Sequence, residues 1–488
     1  MTVHAAPHLG ARPQIKFGTD GWRGVIADDF TFQNVRYAAQ GIANYLKHRP
    51  DPSVVIGFDC RFGADRFAAE VARITAAAGI KTYLTKDPSP TQVSSWTILE
   101  LHADGAVVLT ASHNPAPYLG IKYKPEYGGS ASPEVVASLE AEINKVIDAD
   151  AVQLSDFEEA RQQGSIDIID PRPAYKRQIA KMLDLNRLRG AGLKLVHDPM
   201  YGSGAGYVSD ILAGGKTTVL DVRSERNPGF AGIHPEPIPQ NLGSTIDLMR
   251  QGDFDLCICT DGDADRVGII DETGRFINQL EVFALLMDYL LGVRGWKGPV
   301  VRTLTSTAMA DKLAEMYGVE CHEVQVGFKY VGPLMMETQA VMGGEESGGF
   351  GFRGHIPERD GILAGLFFAD FILQKQKPLS ALLQDLYDRV GPHAYDRRDI
   401  SLERDRFAAV REATYRRFQQ TTPSEIAGRR VVKMRSDDGF KFYFEDGSWV
   451  LLRFSGTEPL LRVYSEAPSI EEVQELIQEM VKQLGVTK

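Results

Sequence analysis

At 488 residues the chain is too long for one hydrophobic core, and a prior of about 100–200 residues per domain points to three or four. An apolar share of 43% is enough to fill them, while a formal charge of -11 excludes a surface built to neutralise nucleic-acid phosphates or an anionic membrane, which would need a basic stripe. Cys60, Cys257, Cys259 and Cys321 contain no CxxC pair, so reduced, packed thiols are expected, with Cys257 and Cys259 on one face of a strand.

In chain order, Met1 to Gln14 mixes histidine, proline and glycine with no apolar run; it reads as a mobile arm and not a signal peptide, and a cytoplasmic location is expected. Val54 to Asp59 reads as a strand, followed by a helix with Phe67, Val71, Ile74 and Ala78 on one face, a stop at Gly79 and a second strand from Ile80. Ala106 to Leu109 reads as a buried parallel strand, and Asn114-Pro115 forces a turn after it. Ser112, in Leu109-Thr110-Ala111-Ser112-His113-Asn114-Pro115, therefore stands at a strand's C-terminal end, where open α/β sheets place ligands, and is a candidate nucleophile. An isolated Ser-His pair is more often a capped turn, so the rest of the chain must decide.

A second unit repeats the pattern. Leu193 to Val196 leads into Asp198-Pro199-Met200-Tyr201-Gly202-Ser203-Gly204, then a helix to about Leu212 and a strand at Thr218 to Leu220. Next, Asp261-Gly262-Asp263-Ala264-Asp265-Arg266 gathers three carboxylates at alternate positions between apolar strands. That much negative charge calls for a hard divalent cation, and so few carboxylates with room for one more oxygen favour Mg²⁺ over Ca²⁺. The spacing resembles an EF-hand loop, but Arg266 stands where such a loop needs glycine and the flanks are strands. The plain alternative is a solvated acidic turn.

The third unit runs from Val300-Val301 through Thr305-Ser306-Thr307 to a helix with Met309, Leu313 and Met316 in phase, then Gly318 and a strand from Cys321 to Val326. Val282 to Val293 and Ile362 to Leu373 are apolar but carry Asp288 and Asp370 and are too short to span a bilayer, so both read as core helices. Gly343-Gly344-Glu345-Glu346-Ser347-Gly348-Gly349 places carboxylates and a hydroxyl on a glycine-rich loop, which suits sugar hydroxyls and would repel phosphate; a flexible surface loop is the alternative.

The last hundred residues change character. Arg429 to Met434, Lys441 to Phe444 and Trp449 to Phe454 read as strands joined by turns at Asp437-Asp438-Gly439 and Glu445-Asp446-Gly447, and Ile470 to Leu484 as a closing helix. Arg453-Phe454-Ser455-Gly456-Thr457-Glu458-Pro459 with Arg462 combines small residues that let backbone N–H groups converge with two forked cations, the makings of a phosphate site; a strand-end turn with solvated arginines is the alternative. The fold expected is three similar α/β domains with mixed, largely parallel sheets and a C-terminal α+β domain with an antiparallel sheet. Polar segments near 153–163, Glu272 and 391–393 suggest domains at 1–155, 156–271, 272–391 and 392–488.

Together these segments resemble the α-D-phosphohexomutase superfamily, which includes phosphoglucomutase, phosphomannomutase and phosphoglucosamine mutase, over nearly the whole chain. Phe17-Gly18-Thr19-Asp20-Gly21-Trp22-Arg23-Gly24 looks like the family's opening loop and Thr110 to Pro115 like its phosphoserine loop. Asp261 to Arg266 looks like the metal loop, Glu345 to Gly348 like the sugar-recognition loop and Arg453 to Pro459 like the phosphate loop of the fourth domain. The resemblance implies a phosphoryl group on Ser112 that also binds a Mg²⁺ held by Asp261, Asp263 and Asp265. Arg23, His113, Lys122, Arg266 and Lys329 match its cationic or proton-handling positions. Lys122 is the first choice for general base, on the expectation that neighbouring cations lower its pKa, with His113 as the alternative. Glu345 and Ser347 would bind the sugar, and Arg453, Ser455, Gly456, Thr457 and Arg462 the non-reacting phosphate.

The implied activity interconverts hexose 1-phosphate and hexose 6-phosphate, most simply of glucose, through a hexose 1,6-bisphosphate that also serves as activator or phosphoryl donor. Hexose phosphates are the expected partners, with no nucleic acid and no membrane, on a monomer or small homo-oligomer. Leu119 stands where many members have asparagine, and Gly349 where phosphomannomutase/phosphoglucomutase and phosphoglucosamine-type members carry histidine, while His355 to Gly361 looks closer to glucose-type members. A hexose-bisphosphate synthase using the same phosphoserine, a phosphomannomutase and a non-catalytic sugar-phosphate binder are the competing readings.

Overall fold

A computed structural model describes residues 13–18, 20–455 and 459–484. The expectation of an N-terminal arm falls largely outside the described residues. Among them, no helix is long and apolar enough to cross a membrane, and all four cysteines are free, with the Cys257 and Cys259 sulfurs 3.5 Å apart on one face of their strand.

Three α/β units follow one another, each a mixed sheet with a parallel centre, and an antiparallel sheet closes the chain. In the first, Ser53–Phe58, Lys81–Thr85, Gly105–Leu109 and Ile166–Ile169 run parallel, while Tyr118–Pro125 and Trp22–Val25 extend the Gly105–Leu109 side antiparallel. The second pairs Lys194–Asp198 in parallel with Thr218–Asp221 and Leu256–Thr260, then adds Val267–Asp271 and Phe276–Ile277 antiparallel. The third sets Cys321–Val324, Val300–Thr303 and Met342–Gly344 parallel, with Phe350–Phe352 antiparallel at one side. Two expected divisions need correction. Ile166–Ile169, beyond residue 155, is the edge strand of the first sheet, and Phe276–Ile277, beyond 271, belongs to the second. In both places the chain finishes a sheet after its polar linker, because pairing satisfies backbone groups whatever the linker's composition.

The C-terminal sheet contains the three expected strands, Arg429–Arg435, Phe440–Phe444 and Trp449–Phe454, with Gly439 and Gly447 at positive φ in the turns. It also contains Ala394–Ser401 and Leu460–Ala467, which pair with each other along their full length, and is accompanied by a helix at Arg404–Gln420. The closing helix Ile470–Gln483 begins with a reciprocal Ser469/Glu472 capping box and buries Val473, Leu476, Ile477 and Met480 against the sheet.

The second and third units share one apolar core. The helix Gly361–Lys375 joins them: a Cβ at Gly365 would lie 2.3 Å from Ile258 Cγ2, so glycine lets the helix backbone close onto the strand that leads to the acidic loop. At its start, Gly361 N–H donates to the Ala264 carbonyl (3.1 Å), placing the helix end directly under that loop.

Candidate active site

Ser112 follows the strand Gly105–Leu109 and is almost fully buried. Its φ of 51° puts a residue with a side chain in the left-handed region, a strained conformation that survives only where its surroundings fix it. Arg61 supplies those surroundings. This arginine, fully buried just beyond the strand Ser53–Phe58, donates to the carbonyls of Ser112 (2.6 Å), Asn114 (2.6 Å), Pro115 (2.8 Å) and Tyr118 (3.0 Å), while its Nε bonds Asp59 (3.0 Å). One guanidinium thus gathers the serine loop's backbone from behind. Removing it should leave the Asp59 carboxylate buried and unpaired: Arg61→Met is expected to lose about 3–5 kcal/mol in equilibrium denaturation, and a loss under about 1 kcal/mol would contradict this role.

The acidic loop links Leu256–Thr260 to Val267–Asp271 and faces Ser112. Ser112 Oγ donates to Asp261 Oδ2 (2.7 Å), and a Cβ at Gly262 would lie 2.4 Å from the Ser112 carbonyl oxygen, so glycine is needed for the two loops to meet. Asp261, Asp263 and Asp265 are fully buried, with ligand oxygens within 4.8 Å of one another. Burial, then repulsion from Asp263 and Asp265, pushes the Asp261 carboxyl well above its ordinary pKa. Oδ1 of Asp263 and Oδ1 of Asp265 are buried without a hydrogen-bond partner among the described residues. Buried anionic oxygens of this kind, beside a serine oxygen, form an all-oxygen donor set that fits a small hard cation such as Mg²⁺.

Two further elements brace this loop. Thr91 donates through Oγ1 to Asp263 Oδ2 (2.6 Å) and through its N–H to the Asp263 carbonyl (3.1 Å), and Gln92 Nε2 donates to the Ala264 carbonyl (2.9 Å). From the second unit, Ser203 N–H donates to the Gly262 carbonyl (3.0 Å), and Met200 and Tyr201 both take positive φ in the turn leading there.

Lys122 lies in a neighbourhood opposite to the one expected. Its ammonium touches Asp20 (2.9 Å), Asp263 (2.7 Å) and Asp265 (2.8 Å). Burial alone would lower its pKa, but the three carboxylates outweigh burial and raise it above the ordinary lysine value. The lowered pKa expected of a lysine base is therefore replaced by a firmly held proton. His113 Nδ1 lies 3.5 Å from Ser112 Oγ; burial, reinforced by Arg266, Arg23, Lys122 and Arg61, holds its pKa well below the ordinary range and keeps it neutral. Arg23 donates to Asn114 Oδ1 (2.5 Å), and Arg266 lies 3.4 Å from Glu236 while its backbone N–H donates to Asp261 (3.1 Å).

Arg359, which the sequence leaves without a role, joins the parts. It reaches Asp20 (2.5 Å), Asp265 (2.8 Å) and Glu345 (3.4 Å), so one buried cation contacts the opening loop, the acidic loop and the glycine-rich loop. Glu345 is buried, which raises its carboxyl pKa, and the Ser347 hydroxyl is buried without a partner among the described residues. Glu346 turns away to accept from Tyr395 (2.8 Å). A Cβ at Gly349 would lie 2.2 Å from Arg359 Cδ, so the arginine stem fills the space a side chain there would need. Arg359 also lies 5.7 Å over the Phe328 ring, while the neighbouring Lys329 places its ammonium 5.3 Å from the ring centre of Tyr330. The structure does not bring Lys329 into the carboxylate cluster that holds Lys122.

In the C-terminal sheet Arg453 and Arg462 sit directly opposite each other on adjacent strands. Like charges in that register are unfavourable without an anion or carboxylates between them. Arg453 Nε bonds Asp438 at 3.0 Å, and Arg462 Nε lies 3.6 Å from Asp399. Ser455 N–H donates to the Leu460 carbonyl (2.9 Å); Gly456 and Thr457 lie outside the described residues.

Comparison with known proteins covers the same ground. Residues 14–150, 173–274 and 278–390 match the phosphoglucomutase/phosphomannomutase alpha/beta/alpha domains I, II and III, and 408–483 the C-terminal domain of the same family. A phosphoglucomutase/phosphomannomutase of Thermococcus kodakarensis is 30% identical, covering 96% of this chain and 98% of its own. Phosphoglucomutase 1 of Drosophila melanogaster is 28% identical over 93% of this chain and 89% of its own. Among solved structures, a Thermus thermophilus protein of the phosphomannomutase type superimposes with a TM-score of 0.83 at 34% identity, covering 96% of this chain and 99% of its own.

Proposed function

We propose, for a chain that belongs to the phosphoglucomutase/phosphomannomutase family and is thereby a hexose-phosphate mutase, that it interconverts glucose 1-phosphate and glucose 6-phosphate through a phosphoryl group carried on Ser112. The observation that carries the reading is the Ser112 hydroxyl, 2.7 Å from Asp261 on a loop held in a strained turn, beside buried carboxylate oxygens that lack a partner among the described residues. Asp261, Asp263 and Asp265 would hold a Mg²⁺, which supplies charge stabilisation to phosphoryl transfer.

In the cycle we infer, the bond from phosphorus to Ser112 Oγ breaks as one forms to the free hydroxyl of the bound hexose phosphate, whose proton must be accepted. His113, whose Nδ1 lies 3.5 Å from Ser112 Oγ, is assigned to accept it. Lys122, held protonated, serves as a fixed positive charge among the carboxylates. The bisphosphate then turns over in the cleft, and Ser112 takes back the other phosphoryl group. Both orientations must bind, so Glu345 and Ser347 are assigned to sugar hydroxyls and the Arg453/Arg462 pair to the phosphate that does not react. Lys329 keeps its assignment as a cation at the cleft through the family resemblance alone.

Glucose is favoured over mannose and glucosamine because Gly349, packed against the Arg359 stem, leaves no place for the histidine of those types. Its kcat/KM for glucose 1-phosphate is expected to exceed that for mannose 1-phosphate or glucosamine 1-phosphate by about tenfold or more; equal or reversed values would overturn the assignment. Arg453→Ala is expected to raise KM for glucose 1-phosphate by about ten- to a hundredfold, the loss of a charge-assisted bond, and an unchanged KM would remove the phosphate assignment.

A further inference from the structure

Arg453 is presented by a carboxylate that also spans two domains. Asp438 sits in the turn between Arg429–Arg435 and Phe440–Phe444, and both its oxygens lie 3.0 Å from Arg453 Nε. Oδ2 also accepts the N–H of Val326 (2.9 Å), and the adjacent Gln325 Nε2 donates to the Asp437 carbonyl (2.9 Å). Val326 belongs to the third unit and precedes Gly327, the N-cap of the helix Phe328–Thr338 that carries Lys329.

The placement is built in by the backbone. Gly439, at φ 91°, lets the turn press against the strand of Arg453: a Cβ there would lie 2.1 Å from the Leu452 carbonyl oxygen. Contact at Nε holds the guanidinium by one edge, and Nη1 and Nη2 take no part in it, which leaves a forked pair of donors for an anion. A carboxylate this close to a phosphate-binding arginine weakens its pull on an anion, so its presence calls for a compensating use. Fixing a long side chain in one rotamer removes an entropy cost that binding would otherwise bear.

We propose that Asp438 is a positioning residue: it sets Arg453 for the phosphate that does not react and ties the C-terminal domain to the Gln325–Gly327 segment, so that the grip is made where the two domains meet. This rests on the reading of Arg453 as a phosphate ligand. Steady-state kinetics with glucose 1-phosphate on Asp438→Ala, Arg453→Ala and the double variant test it. Asp438→Ala is expected to raise KM about tenfold with kcat within about twofold, and the double variant to be no worse than Arg453→Ala alone, because the second change removes what the first acts through. Asp438→Asn, which keeps the shape and the acceptor for Val326 N–H, is expected to raise KM in the same direction and guards against a folding defect in the alanine variant.

Effects that multiply in the double variant, or a KM that falls in Asp438→Ala or Asp438→Asn, would overturn the positioning role while leaving the phosphate assignment standing. An unchanged KM in Arg453→Ala would instead remove the phosphate assignment and this role with it.

Discussion

Replacing Ser112 with alanine is expected to lower kcat by about 10⁴-fold or more, because it removes the hydroxyl, 2.7 Å from Asp261, that is proposed to carry the phosphoryl group. The fold should survive. Alanine meets the same strain at φ 51° that serine does, and the four carbonyl contacts from Arg61 are made to backbone, so the loop keeps its shape. The hydroxyl's bond to Asp261 is lost, but with the Asp261 carboxyl raised well above its ordinary pKa it is already a reluctant anion there. Thermal unfolding should therefore move little, by an amount worth about 1 kcal/mol. Turnover near that of the parent would show that the reaction does not pass through Ser112.

Chelation is expected to cost about 10³-fold in kcat, restored by added Mg²⁺, with little change in KM. The distinction follows from where each group lies. The acidic cluster faces Ser112, whereas the arginines assigned to the other phosphate are on the C-terminal sheet. Asp263→Asn should reproduce the loss in a form that Mg²⁺ cannot restore. That variant also weakens the hold on Lys122 and on Thr91, so part of its effect is positional. Full activity in excess chelator would exclude a divalent cation from the mechanism.

The parts of the fold that repeat a strong period are legible in the sequence. The short apolar-rich runs at Val54, Leu193 and Val300, each followed by a helix with a stop at or near glycine, give the three α/β units, and the turn glycines 439 and 447 give the antiparallel hairpins. The strand Ala394–Ser401 is hidden by Asp396, Arg397, Arg398 and Asp399, charges an edge strand tolerates and even requires. The helix Arg404–Gln420 buries Phe418 and Thr414 but little else, so its apolar stripe is too thin to read. Arg462 is given no element by the sequence; it lies on a strand opposite Arg453, because the run from Leu460 pairs along its whole length with the strand Ala394–Ser401 far earlier in the chain.

The site divides in the same way. Ser112 and the three aspartates announce themselves because compact charge and a turn after a strand are local signals. Arg61, Arg359 and Asp438 do not, since what matters about each is what it touches far away in the chain. Asp59-Cys60-Arg61 directly after a parallel strand is the one local sign of a buried pair at the sheet's functional end. Lys122 shows the limit most sharply. Its position is visible in the sequence, but the sign of its surroundings is not, and three carboxylates instead of cations reverse the direction of its pKa shift.

The most direct test of a phosphoryl carrier at Ser112 is intact-protein mass followed by peptide mapping, on enzyme incubated with glucose 1,6-bisphosphate and rapidly quenched. The expected result is the mass of one phosphoryl group, located on the peptide containing Ser112 and lost when the loaded enzyme meets glucose 1-phosphate or glucose 6-phosphate. A phosphoryl group on another residue, or none on an enzyme that turns over at its full rate, would contradict it.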